Sequence, residues 1–119
     1  MAIVRLDHVQ VAAPRGSEAA ARDFYGGLLQ MAEIAKPPSL AARGGVWFRA
    51  GEQQLHVGIE DSFVPARKAH PAFAVDDLHS LAERLERAGA TVTWDEAVPG
   101  HRRFFTADPF GNRLEFVQS

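Results

Sequence analysis

The chain contains no cysteine, which excludes disulfide scaffolds, thiol nucleophiles and cysteine-ligated zinc or iron–sulfur centres. Nor does it carry an excess of positive charge: 13 Lys and Arg against 15 Asp and Glu give a formal net charge of -2. Holding a polyanion means neutralising many phosphates at once, so no nucleic-acid or membrane-surface partner is expected. Long apolar runs are missing too, and a charge stands at Arg5, so the sequence predicts no signal peptide, no membrane span and a cytoplasmic protein. Its 119 residues suit a single domain spanning 1–119, able to bury roughly two thirds of its unfolded surface and to fold without cross-links. What remains is chemistry by nitrogen and oxygen, and five histidines are present.

Alternation places Leu6, His8 and Gln10 on one face of a first strand and Asp7, Val9 and Val11 on the other. Ser17 is a good N-cap for a helix in which Ala20, Ala21, Phe24 and Leu28 recur at helical spacing, ending near Gly26-Gly27 or a turn later. Met31 to Ala42 reads as irregular because of Pro37-Pro38, and Gly45–Arg49 with Gln53–Ile59 read as a hairpin about a short glycine-containing turn. After a connector over 60–69 the pattern starts again. A strand over His70–Val75 is followed by Asp76-Asp77 as cap of a helix with Leu78, Leu81, Leu85 and Ala88 as its stripe. Val92–Trp94, Arg103–Thr106 and Arg113–Val117 are further strands, the last two joined by the turn Asp108-Pro109-Phe110-Gly111-Asn112.

The chain therefore repeats strand–helix–strands twice, with halves over 1–60 and 70–119. His8 opens one half and His70 the other, 62 positions on; His56 lies in the last strand of the first half and Glu115, 59 positions on, in the last strand of the second. Each half thus places two side chains of metal-ligand type at equivalent positions.

Four segments resemble the vicinal oxygen chelate superfamily, the group of glyoxalase I, fosfomycin-resistance proteins, extradiol dioxygenases, methylmalonyl-CoA epimerase and bleomycin-resistance proteins. They are Leu6-Asp7-His8-Val9, Ala21-Arg22-Asp23-Phe24-Tyr25, His70-Pro71-Ala72-Phe73-Ala74-Val75-Asp76 and the closing Asp108-Pro109-Phe110-Gly111-Asn112-Arg113-Leu114-Glu115-Phe116. The resemblance implies an α+β fold of two βαβββ modules whose eight strands form paired curved sheets around a metal-centred cleft. It also implies a homodimer. By position, His8, His70 and Glu115 match the family's first-, fifth- and eighth-strand ligands. His56 stands at the fourth-strand site, where glyoxalases commonly have glutamate and epimerases glutamine. Such a set suits divalent iron, manganese, nickel, cobalt or zinc and leaves open positions for two neighbouring substrate oxygens.

The function so implied is a metal-dependent enzyme acting on a small molecule, preferably a glyoxalase-like lyase or isomerase with Glu115 as base and His56 as ligand or acid/base. An extradiol-type dioxygenase, a fosfomycin-type resistance enzyme and a metal-free drug-binding protein are the alternatives. Parity adds Gln10, Gln54 and Gly58 as cavity walls. Arg49, Arg67, Lys68, Arg102 and Arg103 read as solvated cations able to meet a substrate carboxylate or phosphonate, His79 as a solvated helix residue, and His101 as a loop or a pocket residue.

Overall fold

A computed structural model describes residues 1–119, which divide into two units, Met1–Val64 and Pro65–Ser119. Each unit is a four-stranded mixed sheet with helix against one face, and the architecture is α+β as expected. In the first unit β1 (His8–Ala13) pairs in parallel with β4 (Gln53–Ile59), which is antiparallel to β3 (Val46–Ala50). A two-residue β2 (Glu33–Ile34) closes the order β1-β4-β3-β2. The rows Val11, Val57, Val46 and Val9, Leu55, Phe48 point to one face. Against that face packs the helix α1 (Glu18–Ala21) with its π-helical continuation over Arg22–Leu28, where Leu29 N–H donates to Phe24 O five residues back. Tyr25 and Phe48 are fully buried and in ring contact at 5.8 Å, and burying side chains of this size is worth about 1.5–3 kcal/mol each.

Two readings of this half are corrected. The Met31–Ala42 stretch is not wholly irregular: besides β2 it holds a one-turn helix α2 (Pro38–Ala41) with proline at its first position. There the missing N–H is no loss and the fixed φ suits the helix, so Pro37-Pro38 starts a helix rather than forbidding one. Ser17 precedes the helix but makes no side-chain cap; its hydroxyl donates to Pro14 O instead.

The second unit repeats the plan. β5 (Ala72–Val75) runs parallel to β8 (Arg113–Gln118), followed by β7 (Arg103–Ala107) and β6 (Thr93–Asp95), in the order β5-β8-β7-β6. The strand expected from His70 begins two residues later, at Ala72. Helix α3 (Leu78–Arg87) buries Leu78, Leu81, Ala82 and Leu85, and Asp77 caps it by accepting from Ser80 N–H. Phe73, Phe116 and Phe104 form a row on one face of the sheet, with Trp94 at its end.

Register carries the duplication further than spacing did. Gln10 pairs with His56 in the first unit and Ala72 with Glu115 in the second, so both parallel pairs put the fourth-strand and eighth-strand residues at matching positions.

Candidate functional site

On the face of the first sheet turned away from the helix, alternation leaves His8, Gln10, Gln54, His56, Gly58 and Trp47 together. His56 is buried between two rings: Trp47 stacks on it at 3.8 Å with 5° between planes, and His8 stacks on its other neighbour side at 4.2 Å and 14°. Nε2 of His56 lies 2.9 Å from Gln54 Oε1, and Nδ1 of His8 lies 3.0 Å from Asp7 Oδ2. Burial, then the neighbouring His8 and Lys36, hold the His56 imidazole below its ordinary 6.5. Two nearly parallel imidazoles direct their in-plane lone pairs side by side rather than to one point. His8 and His56 are therefore brought together as a stack, and joint chelation of one ion would need one ring to turn.

A cavity of ≈ 180 Å³ opens beside this stack, lined by Gln10, Gly58 and Trp47 and by residues of the segment that leads into β3. A Cβ on Gly58 would come within 2.8 Å of the Gln10 side-chain amide, which lies over the glycine. Gln54 does not line it.

In the second unit the face away from α3 carries a different arrangement. Nε2 of His70 stands 2.8 Å from Oε1 of buried Glu115, and Nδ1 stands 2.8 Å from the Lys68 carbonyl. A carbonyl only accepts, so Nδ1 bears the proton and the Nε2 lone pair of the neutral ring faces the carboxylate. Two electron-pair donors at that separation call for a positive centre between them, either a proton or a metal ion. The 2.8 Å separation is that of a hydrogen bond, and because two ligands about 2.1 Å from a metal and at right angles lie about 3.0 Å apart, a slight widening would let the same pair share a divalent cation. The tie from Nδ1 to a backbone carbonyl is the orientation that metal-binding histidines ordinarily need. Glu115 Oε2 is held by Arg103 Nη1 at 3.4 Å, while Arg103 Nη2 binds Asp95 at 2.9 Å, which leaves Oε1 as the available oxygen. No group of three or more His, Asp or Glu side chains of metal-binding geometry forms.

The remaining cations fall out differently from their sequence reading. Arg103 is not solvated but half-buried and doubly ion-paired, and Phe105 lies under its guanidinium at 5.4 Å. Arg102 binds His79 at 2.7 Å and covers Trp94. The sequence reading overlooked Lys36 and Arg43, which line the cavity of the first unit. The signal that pointed to them was the glycine pair beside Arg43: Gly44 and Gly45 both have positive φ, and a Cβ on Gly45 would sit 2.3 Å from Val57 O.

The chain is thus a duplicated β-α-β-β-β unit, with the same sheet order in both copies and His56 and Glu115 at matching positions of the parallel pairs. The sequence model of the Glyoxalase/Bleomycin resistance protein/Dioxygenase superfamily matches residues 5–116, and the chain belongs to that superfamily. The crystal structure of a glyoxalase family protein from Bacillus anthracis is similar over 100% of this chain and 98% of its own, at 48% identity and a TM-score of 0.96. Lactoylglutathione lyase from Agrobacterium tumefaciens is similar in fold, at 21% identity and a TM-score of 0.75 over 97% of this chain and 93% of its own. TnmS3, an antibiotic binding protein from Streptomyces sp. CB03234, reaches 22% identity and a TM-score of 0.75 over 99% and 98% of the two chains. No curated protein matches the chain.

Proposed function

We propose that the chain is a metal-dependent enzyme acting on a small molecule, with lyase or isomerase chemistry of the glyoxalase kind. His70 and Glu115 are its central ligand pair, and His8 and His56 are the further ligands, His56 serving as ligand or acid/base. The observation that supports this reading is the 2.8 Å approach of His70 Nε2 to Glu115 Oε1, with Nδ1 already tied to Lys68 O. A divalent ion held there supplies Lewis acidity toward a substrate carbonyl or hydroxyl oxygen. Arg103 holds Oε2 of Glu115, which leaves Oε1 as the oxygen that would ligate the ion or, when off the metal, take up a proton from substrate. The half-buried site limits water around the carboxylate, which strengthens each of these contacts.

The deciding experiment is metal analysis of the purified protein beside His70→Ala, Glu115→Ala, His8→Ala and His56→Ala. Stoichiometric divalent metal in the parent and its loss in the first two variants supports the proposal. Absence of binding by any divalent ion, or binding indifferent to these changes, overturns it.

One observation favours a second reading, a metal-free small-molecule binder: a preformed cavity lies beside the Trp47–His56–His8 stack, and Trp47 lines it. Full ligand affinity in chelator-treated protein would establish it. We further propose a homodimer. Ile3, Val4 and Leu6 are 88%, 89% and 69% exposed beside β1, whose outer edge is unpaired, and association would cover them. Light scattering across a dilution series measures the state directly.

A further inference from the structure

We propose that Lys36 and Arg43 form an anion subsite in the first unit, which takes a carboxylate, phosphate or phosphonate group of the bound small molecule. The inference rests on the reading of this chain as a small-molecule protein and adds the chemical class of its ligand.

The ≈ 180 Å³ cavity is lined by both cations and by no carboxylate. At roughly 30 Å³ per water it holds about six water volumes, the size of an oxyanion with a short stem rather than of a whole drug-sized ligand. The guanidinium of Arg43 makes no ion pair or hydrogen bond with the rest of the chain, so its fork of donors is free to meet an oxyanion in bidentate fashion. Lys36 is fixed in place: Nζ donates to Gly44 O and keeps two further N–H groups. The Gln10 amide lies over Gly58, lines the same cavity and contributes another donor.

The segment that carries the two cations is itself anchored. Gly45 N–H donates to Glu18 Oε2 at 2.9 Å, and the positive φ of Gly44 and Gly45 presses the turn against β4 so closely that no side chain fits. These contacts hold the Lys36 ammonium and the backbone of the turn beside the cavity, while the exposed Arg43 side chain stays free to close on an anion from that fixed backbone. Trp47 lines the same cavity and stacks on His56, so an anion seated there places the rest of its molecule along the ring stack.

The test uses the full chain, stripped of metal by a chelator, labelled with ¹⁵N and titrated separately with inorganic phosphate and with acetate. Saturable shifts are expected at the Gly44 and Gly45 amides and at the Trp47 indole N–H. Lys36→Met and Arg43→Met should each weaken binding roughly tenfold, the worth of one charge-assisted hydrogen bond, and Lys36→Arg should restore most of it. Saturation by phosphate alone, by acetate alone or by both supports the subsite and tells which anion class it serves. Saturation by neither, shifts that map elsewhere, or shifts indifferent to both Met variants overturns it. Because the protein is metal-free throughout, failure to bind metal would sink the enzymatic proposal and leave this one standing. Phosphate binding that appears only on adding metal, and ignores both variants, would do the reverse.

Discussion

Trp47 and His56 lie face to face, 3.8 Å apart and 5° from parallel, on directly paired positions of β3 and β4. The indole is thus the cover that keeps water from one side of the imidazole, and burial is the leading reason that this histidine titrates below 6.5. Trp47→Ala in chelator-treated protein is expected to move the His56 pKa up toward 6.5, as read from its ring protons by NMR. Losing the ring contact should also cost about 0.5–1.5 kcal/mol of stability. An unchanged titration would show that the cover comes from elsewhere.

Removing one member of the His70–Glu115 pair should weaken binding of a divalent ion by more than the roughly 10–100-fold typical of an outer partner. Glu115→Gln is the informative change, because the amide keeps the size and one acceptor oxygen but loses the charge. Calorimetric titration with zinc and with manganese should show the loss in Glu115→Gln and His70→Ala, while His79→Ala, on exposed helix surface, binds as the parent does.

Asp108 predicts a stability effect far from any chemistry. It is buried and accepts from Phe110 N–H, Asn112 N–H and the Asn112 side-chain amide at 2.8–2.9 Å. Asp108→Ala leaves those donors unpaired at about 1–3 kcal/mol each. A loss of about 3 kcal/mol or more is expected in urea unfolding, with Asp108→Asn falling between.

Glu18 gives the pH dependence. The Gly45 N–H beside it is the first cause that lowers its pKa from 4.5 in the folded chain. The unfolded chain therefore holds the proton more tightly, so the contribution is complete above about pH 4.5 and is lost as pH falls through the lower, folded value. Glu18→Gln should flatten the stability profile in that acid window and leave its slope near neutrality alone. An acid limb identical to the parent's would rule out this contact as the cause.

Much of this was legible in the sequence because period-two alternation and turn chemistry act locally. His8 and Gln10 sharing a face, the 45–59 hairpin and the Asp108–Asn112 turn all follow from neighbours a few residues apart. The two-residue β2 was not legible, since only its pairing with Trp47 and Phe48 makes it a strand. The stacking of His8 on His56 escaped as well: alternation says which face a ring occupies but not how it turns. Lys36 and Arg43 follow no strand parity, and only the fold of the Gly44-Gly45 turn brings them to the cavity.

The paired registers of the two sheets also bear on how such a chain can change. Gln10–His56 and Ala72–Glu115 are the same rung of two copies of one ladder, so the backbone there is indifferent to which side chain it carries. Divergence at that rung, an aromatic base in one copy and an acid in the other, costs the scaffold little, and each copy is free to be tuned for its own task.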